Sequence, residues 1–157
     1  MRFPYTALLL LALALVAGCD SLGIDTLPRV DDPTEPTAVT PERLDEAEAR
    51  WDSLAVPQYS FEVRRTCFCP VEIQGPFVVS VRGGEVALVT RGGEPVDERP
   101  PTIDGLFDLL RESIPTADSV TAAFDDTRGF PTKLFVDPSF GIADEEIGYT
   151  ITGFRPD

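Results

Sequence analysis

Apolar side chains at Ile103, Leu106, Phe107, Leu110 and Ile114 fall at i, i+3, i+4, i+7 and i+11. That stripe is an amphipathic helix that must find an apolar surface to cover. The chain on either side supplies one, because its apolar residues recur with period two. Tyr59, Phe61 and Val63 alternate with Ser60, Glu62 and Arg64. Runs Phe77–Val81 and Val86–Val89 flank Gly83-Gly84, a hairpin signal. Three more strand signals follow Pro115: Val120/Ala122/Phe124, Thr132 to Val136, and Ile147/Tyr149/Ile151. An earlier helix is announced by Thr40-Pro41-Glu42, an N-cap, a proline at the first helical position and an acid in the first turn. Leu44, Ala47, Trp51 and Leu54 form its apolar face, and Pro57 ends it.

The order read from these signals is α-β-β-β-α-β-β-β. Short links between consecutive strands imply antiparallel pairing, and two helices can cover one face of the sheet. The expectation is a two-layer α+β domain with an antiparallel sheet and both helices on one face. A helix followed by three strands occurs twice, as a duplicated unit would arrange it, although residue identity between the halves is negligible. Gly92 to Pro101, rich in Gly, Pro and charge, reads as a loop.

The N-terminal segment has a different character. Met1 to Gly18 holds no acid and one base, Arg2, and Ala7 to Ala17 is unbroken apolar sequence. As a helix that run would span roughly 16 Å, about half of a bilayer core, so it has the length of a secretory h-region and not of a membrane span. Val16-Ala17-Gly18-Cys19 follows directly and resembles the lipobox of bacterial lipoproteins, with valine where leucine is more frequent. The resemblance implies diacylglyceryl transfer to the sulfur of Cys19, cleavage before it, and acylation of the new amine. Two or more acyl chains hold a protein on a bilayer stably. The domain would then lie outside the cytoplasm, on the periplasmic or outer-surface side, with the membrane as a partner through the lipid. Asp20 resembles an inner-membrane retention signal that not all bacteria share, and the leaflet stays open.

Three segments are expected: a signal peptide over 1–18, an acidic Pro-rich tether over 19–40, and a single α+β domain over 41–157. The tether is broken by Pro28, Pro33 and Pro36 and carries Asp25, Asp31, Asp32 and Glu35. Polyproline-like stretches of that length reach roughly 40–60 Å.

Composition narrows the chemistry. Thirteen basic against 27 acidic residues leave a net charge of −14, a field that repels phosphate backbones and argues against nucleic acid. There is no histidine. Ser-His and Cys-His nucleophilic systems and the commonest metal ligand are therefore excluded. No Gly-x-Ser-x-Gly, phosphate-cradling glycine loop or dinucleotide fingerprint is present, so no catalytic residue and no cofactor are assigned.

Cys67-Phe68-Cys69 is the most unusual local feature. Both cysteines share the parity of Tyr59, Phe61 and Val63, and on an unbroken strand their Cα atoms would stand about 6.6–6.8 Å apart, the upper limit for a disulfide. A bond needs the chain to buckle, and Cys69-Pro70 is a place for the bend. With Cys19 assigned to lipid, an even pair remains in an oxidising compartment. The readings are a small structural disulfide, a redox-active pair, a metal site, or free thiols that bridge to a partner. Asp125-Asp126 and Asp137, Asp144, Glu145 and Glu146 lie in turns. Their spacing departs from the calcium loop, and they stand as solvated turn acids, the last four also as a weak cation site. Phe68, Tyr59, Phe140 and Trp51 are expected in the core, with a partner surface as the alternative.

Tyr59-Ser-Phe, Cys67-Phe-Cys69, the strand pair around Gly83-Gly84, Thr102-Ile103 with Leu106-Phe107, Phe124-Asp125, Gly129-Phe130-Pro131, Asp137 and Asp144-Glu145-Glu146 together resemble the domain-of-unknown-function family 6174. The resemblance covers residues 42–155 and implies an envelope lipoprotein; it brings no catalytic residues. The expected function is a lipid-anchored, non-enzymatic binding module with an envelope protein partner. The alternatives are an envelope thiol–disulfide redox protein using Cys67 and Cys69, or an inhibitor-like domain. The sheet face, the hairpin tips (Arg82 and Glu85 at one of them) and the Cys-x-Cys corner are the candidate contact surfaces.

Overall fold

A computed structural model describes residues 35–157. The signal segment, Cys19 and most of the expected tether lie outside the described residues. In chain order the elements are β1 (Thr37–Ala38), α1 (Pro41–Ser53), β2 (Gln58–Cys67), a 3-10 turn (Val71–Ile73), β3 (Phe77–Arg82), β4 (Glu85–Arg91), β5 (Glu94–Pro95), α2 (Ile103–Ser113), β6 (Ser119–Phe124), β7 (Pro131–Asp137) and β8 (Ile147–Pro156).

Both helices begin where the capping chemistry requires. The Thr40 hydroxyl accepts from Arg43 N–H at 3.3 Å, and the Thr102 hydroxyl accepts from Gly105 N–H at 3.1 Å. Each satisfies an otherwise orphaned donor of a first turn. Glu42 and Asp104 add negative charge at the positive end of each helix.

The strands form one eight-stranded antiparallel sheet in the order β1-β6-β7-β8-β2-β3-β4-β5. Each helix is followed by its own three-stranded meander, and the two meanders join through β8 and β2. The helix-plus-three-strands unit read from the sequence therefore lies side by side with its repeat. Inward parity holds on β2, β3 and β7: Tyr59, Phe61 and Val63 on β2, Phe77, Val79 and Val81 on β3, and Leu134 and Val136 on β7 are buried in one cluster with Leu44, Ala47, Leu106 and Leu110 of the helices. Tyr59 meets both helices. Its ring packs edge-on against Trp51 of α1 at 5.3 Å, and its hydroxyl accepts from the Ile103 N–H of α2 at 3.2 Å. Both helices thus cover the same face.

The structure adds what two-residue signals could not carry. Thr37–Ala38, within the stretch read as tether, pairs with β6, and Val39 behind it is buried. The domain therefore begins a few residues before residue 40. Glu94–Pro95 likewise turns part of the expected 92–101 loop back onto β4. Leu54 caps α1 and is exposed, not part of its buried face.

Strand direction gives the sheet two distinct ends. Cys67, Ile147 and Val136 are in register at one end, with Ser119 opposite Asp137 beside them. The Gly83–Gly84 turn, the β6–β7 turn and Pro156 lie at the other end. In β1, Thr37 pairs with Ala122 and Ala38 with Thr121, so the chain enters from the Gly83–Gly84 end and runs towards the Cys67 end.

Candidate functional site

The Cys67 end of the sheet carries the first candidate. β2 continues through Cys67, then buckles. Arg65 N–H donates to the Gln74 carbonyl at 2.8 Å, and the Gln74 side-chain amide donates to the Cys69 carbonyl at 2.8 Å. This closes a compact corner in which Cys67 and Cys69 form a close pair, with Cα atoms 5.3 Å apart. The buckle that the extended-strand separation demands is present. The corner is propped from the sheet by Arg65, whose Nε donates to the Tyr149 hydroxyl at 3.2 Å, and by Arg91, which donates to the Glu72 carbonyl at 2.9 Å.

Large apolar side chains stand in solvent at this end. Phe68, between the cysteines, is 80% exposed, and Phe140, in the β7–β8 loop, is 73% exposed. Val71 and Ile142 are exposed beside them in sequence. The β7–β8 loop is tied to the same end of β6: Phe140 N–H donates to Asp118 Oδ2 at 2.9 Å, and Asp118 N–H donates to the Pro138 carbonyl. The core expectation therefore holds for Trp51 and Tyr59 and fails for Phe68 and Phe140. Neither of the latter belongs to a strand or helix with a buried face.

Asp137, Asp144, Glu145 and Glu146 are not brought together as a cation site. Among the described residues, no three acids or cysteines converge at metal-holding distance. Asp137 Oδ1 and Glu145 Oε1 are each buried without a hydrogen-bond partner. Asp125 shapes the backbone: its Oδ1 accepts from the Thr127 and Arg128 N–H groups, which forms the β6–β7 turn. Among the described residues, no helix is long and apolar enough to cross a membrane.

The second candidate lies at the opposite end and was not visible in the sequence. A groove of about 360 Å³ opens between the end of α1, the start of α2 and the Gly83–Gly84 turn. Trp51 and Tyr59 form its floor, and Asp52, Asp104, Val56 and Gly84 its walls. The Trp51 indole N–H donates to Asp104 Oδ1 at 2.7 Å, which locks the start of α2 onto α1. Burial, then the Asp104 charge, pushes the Tyr59 hydroxyl up to about 12, while its hydrogen bond from Ile103 pulls the other way. Trp51 and Asp104 are 53 residues apart, so no local spacing could have paired them. A second groove of similar size lies by the β6–β7 turn and contains Lys133, Asp126 and Thr150.

Fold and sites define a class: a tandem α-β-β-β domain with an open sheet face, a half-buried Cys-x-Cys corner that exposes Phe68 at one end and a groove at the other. Residues 43–156 match the model of a family of unknown function, DUF6174, and the chain belongs to that family. No curated protein and no solved structure matches it.

Proposed function

We propose that this protein is a non-enzymatic interaction module of the bacterial envelope, held on a membrane by lipid at Cys19 and presenting the Cys67 end of its sheet to a protein partner. One observation carries the reading. Phe68, Val71, Phe140 and Ile142 are exposed at the sheet end away from which the chain enters. Exposed apolar side chains in a polar rim are the usual mark of a contact surface. A leash that joins the domain at the far end leaves that surface free of the membrane. The lipobox resemblance of Val16-Ala17-Gly18-Cys19 supports the anchor.

The test has two parts. In bacteria fed a labelled fatty acid, the wild-type chain is expected to take up label and sediment with membranes, and Cys19→Ala to do neither. A photo-crosslinking residue at Phe68 or Phe140 is expected to trap one discrete partner, where the same residue at Lys133 on the open face traps none. An unlabelled, soluble wild-type chain would refute the anchor; indiscriminate crosslinking from all three positions would refute the surface.

A thiol–disulfide role for Cys67 and Cys69 is a second reading, favoured by their close approach at the exposed end. Thiol trapping separates the two. A redox pair in the wild-type chain opens under mild reductant and forms mixed disulfides, and a structural bond resists it.

A further inference from the structure

We infer that the groove between the end of α1 and the start of α2 binds an alkyl cation, a guanidinium or ammonium head on a short apolar stem. This rests on a different part of the molecule from the proposed partner surface and does not depend on the lipid anchor. The groove has the volume of a small-ligand site and the usual composition, apolar lining with a few polar groups.

Its polar groups are of one sign. Asp104 spends Oδ1 on the Trp51 indole, and the carboxylate retains acceptor capacity at Oδ2. Asp52 makes no side-chain hydrogen bond or ion pair among the described residues, where the ion pairs join Arg111 to Asp45 and Glu48, and Arg128 to Asp125. Asp52 also sits in the last turn of α1, at the negative end of the helix dipole. An acid is unfavourable there and a cation favourable. A bound cation would relieve the repulsion of Asp52 by the helix end. Arg82 and Glu85, register partners on either side of the Gly83–Gly84 turn, carry one charge of each sign and are not among the residues that line the groove.

The remaining lining selects the stem. Ala55, Val56 and Pro57 form an apolar wall, and the edges of Trp51 and Tyr59 form the floor. Trp51 is 5% exposed and Tyr59 is 1% exposed, and both are fixed by hydrogen bonds, so the site is formed before any ligand arrives. A neutral ligand of the same shape would gain the apolar contacts and leave the carboxylates uncompensated.

Trp51 is the only tryptophan of the chain, so its emission reports this groove directly. Titrating the full chain with n-butylguanidinium is expected to give a saturable change in emission, and n-butylurea, its uncharged analogue, none. Asp52→Asn and Asp104→Asn are each expected to raise the half-saturation concentration by roughly tenfold, the usual worth of a charge-assisted contact. Asparagine at 104 keeps an oxygen for the Trp51 N–H, and Asp52 is exposed, so both variants are expected to keep the wild-type circular dichroism spectrum. The inference is overturned by a response that stays linear with concentration, by an equal response to the urea, or by an unchanged half-saturation in the Asp52 variant.

Discussion

Gly129 stands directly against the carbonyl oxygen of Ala47: a Cβ added there would overlap that oxygen and come within 2.9 Å of Arg50 Cβ. The glycine also has φ of +84°, in the left-handed region. It lets the β6–β7 turn close onto the back of α1 and brings the next residue, Phe130, within 6.1 Å of Trp51, ring to ring. The Gly-Phe-Pro piece of the family resemblance is thus a packing device. Gly129→Ala combines a strained φ with a backbone clash and is expected to cost at least about 2 kcal/mol. A lowered urea midpoint with an unchanged slope would show it; an unchanged midpoint would contradict the packing account.

Tyr59 gives the fold an alkaline limit. The folded chain holds the phenolic proton up to about pH 12, whereas the unfolded chain releases it near the ordinary value of 10. Between those values the folded state binds more protons than the unfolded one, so stability falls as pH rises. The contribution is whole below pH 10 and gone by about 12. Tyr59→Phe removes this limb and leaves the buried Ile103 N–H without its acceptor, at a cost of about 1–3 kcal/mol. Denaturant midpoints across the alkaline range, compared for the two chains, check both effects.

Joining Cys67 to Cys69 closes a very short loop and removes little entropy from the unfolded chain. The corner is also held by the Gln74 amide on the Cys69 carbonyl. Replacing both cysteines by serine is expected to destabilise the domain by less than about 2 kcal/mol, with reductant acting on the wild type to the same extent. A larger loss in thermal unfolding would mean that the bond organises more of the sheet end than this corner.

Elements long enough to show a period were legible in the sequence, and short or distant partnerships were not. The stripe Ile103, Leu106, Phe107, Leu110 and the alternation of Tyr59, Phe61 and Val63 dictated helix and strand because each had one face to bury. β1 and β5 have two residues each, too few for a period of any kind. Phe68 and Phe140 read as core because aromatic residues usually are, and only the buckle after Cys67 and the β7–β8 loop put them in solvent. The groove depends on Trp51, Tyr59 and Asp104 meeting from three separate elements. In the sequence nothing sets Asp104 apart from the other acids.

Arg43 is the residue that holds β1 on the sheet. Its guanidinium donates to the carbonyls of Thr37 and Ala38 at 3.1 Å each and, from its other nitrogen, to the Ala122 carbonyl of β6 at 3.0 Å. The group also lies 5.2 Å from the centre of the Phe124 ring. One planar fork therefore bridges both strands of the β1–β6 pair, which lysine, with a single ammonium, cannot reproduce. Arg43→Ala and Arg43→Lys are both expected to loosen this edge, at a cost of about 1–3 kcal/mol. The sensitive readout is amide hydrogen exchange at Val39, whose N–H donates to the Val120 carbonyl at 3.0 Å. Exchange at Val39 should accelerate many-fold in either variant while that at buried Val79, on the interior strand β3, changes only with global stability. Equal acceleration at both positions would mean that β1 unfolds only with the whole domain; full rescue by lysine would mean that charge alone, and not the fork, secures the strand.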